Sequence, residues 1–237
     1  MLTLRKAGER GHTDLGWLNS YHTFSFGNYH DPKHMGFRAL RVLNDDRVAP
    51  GRGFGAHGHR DMEILSYVLE GGLAHKDSMG EQHVLGPNEV QAMSAGSGVI
   101  HSEFNASATA PTHFLQIWIV PAADDLKPSY QQFAYAPSEK RGVLRLIAGP
   151  DKTSSPPAAF INQDARMYAA VLGAGDAVDY SIQPGRYAWV QCATGAIDVN
   201  GLALEEGDGL AVSAETSLRL RGSADGSDAE LLLFDLA

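Results

Sequence analysis

Four residues in two short stretches have the types and the spacing of a metal site. One residue separates His57 from His59, and one residue separates His101 from Glu103. In a β-strand, residues i and i+2 point to the same face, so each pair presents its two side chains together. Three imidazoles and one carboxylate suit a divalent first-row metal ion. Two such strands lining one barrel predict a metal site with room at the ion for a substrate or O₂.

The carboxylate ligand has a second candidate. Glu63 has the same strand parity as His57 and His59, so it competes with Glu103 for the metal. Its other role would be a hydrogen bond that fixes the tautomer of one imidazole. The residue pattern alone leaves this choice open.

Three more residues are candidates for the surroundings of the metal. His113 shares its strand parity with Leu115, which predicts a hydrogen-bonded core histidine, with a pocket residue as the alternative. Gln116 faces the other way and is a pocket candidate. Phe26 belongs to an aromatic group that favours core packing and, alternatively, closes a flat apolar pocket over the metal.

Other histidines and the one cysteine indicate no second chemistry. His75 and His83 bound a polar stretch that predicts a hairpin facing solvent. Cys192 has no neighbouring histidine, and the chain has no Gly-x-Ser-x-Gly motif, which argues against nucleophilic hydrolase chemistry. One cysteine also excludes an internal disulfide framework and fits a reducing compartment.

The elements that must position these residues are short strands. Apolar, partly β-branched runs alternate with Gly, Pro, Asn or Asp at intervals typical of an all-β sandwich or barrel. The predicted strands include residues 64–69, 114–120, 187–191, 196–199, 217–220 and 230–234. Residues 129–133 and 138–141 are predicted to form a short helix or a turn.

The chain is predicted to divide near residue 124. Residues 121–129 contain prolines and paired aspartates, as expected of a linker, and a regular strand pattern resumes further on. We therefore expect domains at 1–123 and 124–237.

A faint internal repeat supports two copies of one β-fold, with chance similarity as the alternative. Residues 89–95 (EVQAMSA) resemble residues 208–214 (DGLAVSA). This alignment puts Leu220 opposite His101 and Gly222 opposite Glu103. The counterparts of His57 and His59 fall near 179–182, where there is no histidine. All 10 histidines lie at or before His113, so the second copy is predicted to lack the metal site.

The charge balance and hydropathy restrict the partners. Asp and Glu outnumber Lys and Arg by 28 to 19, giving a net charge of −9, which argues against nucleic-acid binding. No apolar run has the length of a membrane span, and the N-terminus has no signal-peptide core. We expect a cytoplasmic protein with no membrane or nucleic-acid partner.

Longer motifs resemble a known family. The pattern H-x-H-x₃-E at 57–63, followed by Gly98, His101 and Asn105, is similar to the two cupin signatures. The stretches HGHRDMEILSYVLEGG and QAMSAGSGVIHSEFN more closely resemble the pirin family, particularly its bacterial quercetin 2,3-dioxygenase-like members. The resemblance covers nearly the whole chain, densely over 1–121 and thinly over 123–237.

The resemblance implies an all-β bicupin, two jelly-roll-like β-barrel domains in one chain, with metal only in the first. Its ligands would be His57, His59, His101 and Glu103. Glu103 is preferred to Glu63 because the HSE at 101–103 matches the pirin pattern. One divalent metal per chain is expected, Fe(II) foremost, with Mn, Ni, Cu or Zn as alternatives.

The implied function is that of a metal-dependent dioxygenase. It would open the heterocyclic ring of quercetin-like flavonols with O₂ and release CO, with Glu103 removing the 3-hydroxyl proton. The alternatives are a metal-responsive regulatory or interaction pirin with incidental quercetinase activity, and a cupin isomerase or binding protein without oxygen chemistry. Pairing of two barrels within one chain predicts a monomer.

Overall fold

The computed structural model describes residues 1–223 and 227–237. These residues form β-strands and two 3₁₀ turns, Ala7–Glu9 and Pro137–Glu139, and no α-helix occurs among them. Consistent with this, none of the described segments is a helix long and apolar enough to cross a membrane. The all-β prediction is confirmed.

The chain forms two compact units. The first unit contains residues 11–134 and 150–163, and the second contains residues 1–10, 135–149 and 164–237. One division of the chain does not separate these units. Residues 1–10 belong to the unit formed mainly by the C-terminal part of the sequence, and residues 150–163 belong to the unit formed mainly by the N-terminal part. The division at 1–123 and 124–237 stays a prediction about domains.

The strands of the first unit are short, and adjacent strands pair in antiparallel fashion. They are β2 (Gly11–Asp14), β3 (Leu18–His22), β4 (Leu40–Val48), β5 (Gly53–His59), β6 (Glu63–Glu70), β7 (Leu73–Asp77), β8 (Gln82–Leu85), β9 (Glu89–Ser94), β10 (Val99–Asn105), β11 (Thr112–Ile119), β12 (Ser129–Ala134) and β14 (Ala159–Phe160).

The second unit is built in the same way. Its strands are β1 (Leu2–Arg5), β13 (Arg145–Gly149), β15 (Ala165–Leu172), β16 (Ala177–Ser181), β17 (Tyr187–Thr194), β18 (Ala196–Val199), β19 (Leu202–Glu205), β20 (Gly209–Val212), β21 (Ser217–Gly222) and β22 (Ala229–Leu236). β1 belongs here because its backbone pairs in register with β20, with Leu2 opposite Val212.

Two sheets contain every strand of the first unit except β14. One has the order β12-β9-β6-β11-β4-β3-β2, and the other has the order β5-β10-β7-β8. The prediction of a helix or turn at 129–133 is wrong: these residues form β12, which hydrogen-bonds along β9 with Tyr130 opposite Met93. Hydrogen bonding to the edge of the sheet therefore outweighs the weak local conformational preference of this polar segment. Residues 138–141 overlap a 3₁₀ turn, as predicted.

The second unit has matching strand orders, β1-β20-β17-β22-β15-β13 and β16-β21-β18-β19. β16 therefore corresponds to β5, and β21 corresponds to β10, in agreement with the repeat seen in the sequence. Leu218 and Leu220 of β21 are fully buried in an apolar core. Where the first unit has His101, the second unit packs Leu220.

Candidate metal centre

The predicted ligand pairs lie on neighbouring strands. β5 and β10 are antiparallel, and His101 lies directly opposite His57, with a register shift before Glu103. Gly53 makes the close approach of these strands possible, because a Cβ there would lie 2.2 Å from the carbonyl oxygen of Glu103. Along β10, residues alternate as the strand parity requires: His101 and Glu103 are buried, whereas Phe104 is 40% exposed.

The three predicted histidines meet. Ring centroids are 4.7 Å apart for His57 and His59, 4.5 Å for His57 and His101, and 4.8 Å for His59 and His101. One ring nitrogen from each lies within 4.8 Å of the others. Glu103 joins this cluster through His101, which lies within the same limit of a Glu103 oxygen.

Three polar side chains hold the Glu103 carboxylate. Ser66 and Gln91 approach its Oε1 at 3.2 and 3.3 Å, and the Gln116 amide donates to its Oε2 at 3.4 Å. Burial nevertheless raises the pKa of Glu103 to about 7, although the bonds from Ser66 and Gln91 lower it. This carboxyl group can therefore hold or release a proton near neutral pH.

Burial favours the neutral form of two of these histidines, His59 and His101. Burial, with a smaller contribution from His57, lowers the pKa of His59 to about 4. Burial, followed by the neighbouring His57, His59 and His75, lowers the pKa of His101 to about 3. Neutral imidazole is the form that donates a nitrogen lone pair to a metal.

The donor set fits a divalent cation. His57 Nδ1 lies 2.8 Å from the carbonyl oxygen of Gly55. Because a carbonyl oxygen can only accept, Nδ1 carries the proton, and the lone pair of the neutral ring is on Nε2. This Nε2 lies 3.1 Å from Nε2 of His101. Converging imidazole nitrogens beside a carboxylate are the arrangement expected of a site for a transition metal.

Sequence reasoning missed His75. The hairpin was expected to face solvent, but His75 is 1% exposed and forms a second close group with His101 and Glu103. The reason is strand register, since β7 pairs with the other edge of β10 and puts His75 opposite Glu103. The signal was present as the spacing of His75 and Asp77, which matches that of the two ligand pairs.

Glu63 lies outside both groups of possible ligands found among the described residues. β5 ends at His59, and a turn follows in which Asp61 has φ 49°, so strand parity does not extend from His59 to Glu63. The Glu63 carboxylate instead accepts hydrogen bonds from Ser94 at 2.8 Å and Asn162 at 3.1 Å. Burial raises its pKa.

Of the remaining candidates, Gln116 and Phe26 line a cavity, whereas His113 lies in the core. A cavity of about 790 Å³, open mouth included, is lined by His57, His59, Glu103, Gln116 and Phe26 among others. Trp118 also lines it, with its ring 5.0 Å from His59 and 5.3 Å from Phe26. His113 does not line it: its Nε2 lies 2.8 Å from Asp45 Oδ1, as expected of a satisfied core histidine.

A second buried carboxyl group in the cavity wall was not predicted. Asp46 is 3% exposed, and its Oδ1 has no hydrogen-bond partner within the described part of the chain. Its pKa is raised to about 7, mainly by burial; the hydrogen bond from Ser20 lowers it, and the nearby charges of Asp45 and Glu103 add to the increase. The sequence alone does not identify Asp46 as a candidate, because it is not part of a motif with another candidate functional residue.

Comparison with known proteins assigns the family. The family model described as Pirin matches residues 3–119, and the model described as Quercetinase C-terminal cupin domain matches residues 146–236. The chain belongs to the pirin family. Its fold is accordingly that of two cupin domains, as the resemblance implied.

Relatives in this family match over the whole chain. A quercetin 2,3-dioxygenase of Escherichia coli K12 is 43% identical over 236 residues, covering 100% of this chain and 99% of the relative. Two crystal structures of the E. coli pirin YhhW superpose with TM-scores of 0.94 and 0.92 at 43% and 44% identity. They cover 100% of this chain and 98% and 99% of theirs. The second is a complex with nickel(II).

Proposed function

We propose that this protein is a metal-dependent dioxygenase that opens the heterocyclic ring of quercetin-like flavonols with O₂ and releases CO. One observation carries the proposal: three imidazoles converge near Glu103, and two of them, His57 and His59, line an aromatic-walled cavity together with Glu103. Pirin relatives bearing the name quercetin 2,3-dioxygenase support it.

In this proposal His57, His59, His101 and Glu103 hold one divalent ion, with Fe(II) as the physiological metal and Mn, Ni, Cu or Zn as alternatives. The nickel complex of the E. coli relative supports a divalent ion in a pirin of this type. Such an ion, when bound, supplies Lewis acidity and the electronic coupling that O₂ chemistry requires.

The cavity wall favours a flat, mostly apolar substrate. Trp118, Phe26 and Phe54 present aromatic rings, and Leu15 and Leu18 add aliphatic surface. Aromatic walls bind flat rings through stacked and edge-on contacts while excluding water. Flavonols have this shape, with hydroxyl groups at the rim.

Glu103 is the proposed proton acceptor. It lines the cavity, so its carboxylate can reach a substrate hydroxyl and take its proton. Ser66, Gln91 and Gln116 hold the carboxylate in one orientation while it does so.

We further propose that the protein acts in the cytoplasm as a monomer, without membrane or nucleic-acid partners. The net charge of −9 supports the absence of a nucleic-acid surface.

The test is anaerobic loading of the purified protein with each metal, followed by quercetin and then O₂. We expect quercetin absorbance to fall only after O₂ is added, with release of CO. The double variant His57→Ala/His101→Ala should lose this activity, whereas His83→Ala, which removes an exposed histidine, should keep it. Full activity in the double variant would place the site elsewhere.

A further inference from the structure

A buried histidine next to the ligand cluster has an unused ring nitrogen. His75 Nε2 lies 3.0 Å from Asp77 Oδ2, and both side chains are fully buried. Its Nδ1 has no hydrogen-bond partner among the described residues. An unpaired buried polar atom costs free energy, so a partner is expected when the site is complete.

His101 has the complementary unused atom. Its Nε2 faces His57, on the side where the ligands converge. Its Nδ1 is buried and, like that of His75, lacks a partner within residues 1–223 and 227–237. The two rings are 5.3 Å apart, and a nitrogen of each lies within 4.8 Å of the other.

The tautomers of these two rings follow from Asp77. Its Oδ1 accepts the backbone N–H groups of Met79 at 2.8 Å and Glu81 at 3.1 Å, which leaves Oδ2 as the acceptor that faces Nε2 of His75. His75 therefore donates through Nε2–H and keeps a lone pair on Nδ1. His101, with Nε2 reserved for a metal, carries its proton on Nδ1 and needs an acceptor.

We propose that His75 is a positioning residue: when the site holds its metal, its Nδ1 accepts the Nδ1–H of His101, and Asp77 fixes the tautomer that makes this possible. The chain Asp77–His75–His101 then orients the His101 ring so that its Nε2 lone pair points at the metal. This inference rests on the proposed metal site and adds a requirement to it. Register supports it, because β10 places His101 opposite Asp77 and Glu103 opposite His75.

Two substitutions break the chain in different ways. His75→Phe removes the acceptor and keeps a ring of similar shape. Asp77→Asn is nearly isosteric, but its carbonyl oxygen stays with the N–H groups of Met79 and Glu81, so its NH₂ faces His75. That NH₂ forces the opposite tautomer on His75, leaving two N–H groups facing each other at His75 and His101.

Competition between the purified protein and a chelator for Ni(II) measures the effect without turnover. Both variants should bind Ni(II) about 10- to 100-fold more weakly, the usual cost of losing a hydrogen bond to a ligating histidine. His75→Gln, which supplies both an amide donor and a carbonyl acceptor, should recover most of the affinity. The matched control is His83→Phe, since His83 is bonded to Glu81 but is exposed.

Nitrogen-15 NMR of the imidazoles in the Zn(II)-loaded wild type gives a readout that misfolding cannot mimic. We expect a protonated Nδ1 on His101 and an unprotonated Nδ1 on His75. A protonated His75 Nδ1, or unchanged Ni(II) affinity in a folded His75→Phe variant, would overturn this inference and leave the proposed function standing. Failure of the wild type to bind any divalent metal would overturn both.

Discussion

His101 and His57 face each other across the antiparallel pair of β5 and β10, and their Nε2 atoms lie 3.1 Å apart. Removing either ring should abolish metal binding, because each contributes a lone pair to the same point. For His57→Ala we expect Ni(II) affinity to fall by more than about 100-fold, the upper range for losing a residue that only supports a ligand. Metal content after dialysis checks this. His12→Ala, which removes an exposed histidine bonded to Asn19, should retain the metal.

Glu103 should contribute a pH dependence to metal affinity between pH 5 and 7. Its pKa is raised to about 7, so metal must displace its proton below that pH, whereas His59 and His101 are already neutral. The contribution of Glu103 should raise the affinity about tenfold per pH unit up to pH 7 and then level off.

Glu103→Gln should remove this part of the slope, and Glu63→Gln should leave it unchanged. Isothermal titration with Ni(II) at pH 5, 6, 7 and 8 makes the comparison. An unchanged slope in Glu103→Gln would show that Glu103 does not release a proton when the metal binds.

Asp46 should make the metal-free protein less stable as the pH rises. Its folded pKa of about 7 lies above the ordinary aspartate value of 3.8, so the stabilising effect of its protonated form is complete below pH 3.8 and is lost as the pH rises through 7. The free energy of unfolding of the wild type relative to Asp46→Asn should fall by at most about 1.4 kcal/mol per pH unit over this range. Urea denaturation at pH 4, 5.5, 7 and 8 measures it. The exposed Asp124→Asn should show no such trend.

Trp118 should bind the substrate without binding the metal. Its ring lies edge-on to both His59 and Phe26 in the cavity wall. We expect Trp118→Ala to raise KM for quercetin by about three- to tenfold, the usual worth of an aromatic contact, with Ni(II) affinity little changed. Phe104→Ala, on the exposed face of β10, should change neither. A large loss of metal affinity in Trp118→Ala would contradict this division of roles.

The second unit should bind no metal. Leu218 and Leu220 fill the interior positions of β21, the counterpart of β10, with apolar side chains. Metal analysis after reconstitution should give one divalent ion per chain, and His57→Ala/His101→Ala should give none. Two ions per chain in the wild type would contradict the assignment.

The sequence by itself determined the all-β fold, the repeat and which side chains share a strand face. Those properties depend on the two-residue periodicity of strands and on turn residues, both of which are local features of the sequence. The sequence alone could therefore place His57 with His59, and His101 with Glu103, on a shared strand face. The loss of histidine from the second unit could also be read directly, because it needs only an alignment of the chain with itself.

Only the tertiary structure decided which faces meet. The turn at Asp61 separates Glu63 from His59, and the placement of β7 beside β10 brings His75 to Glu103. Asp46 reaches the cavity from β4, in the other sheet. Strand neighbours are chosen by packing and hydrogen bonding between segments far apart in the chain, and no local pattern encodes that choice.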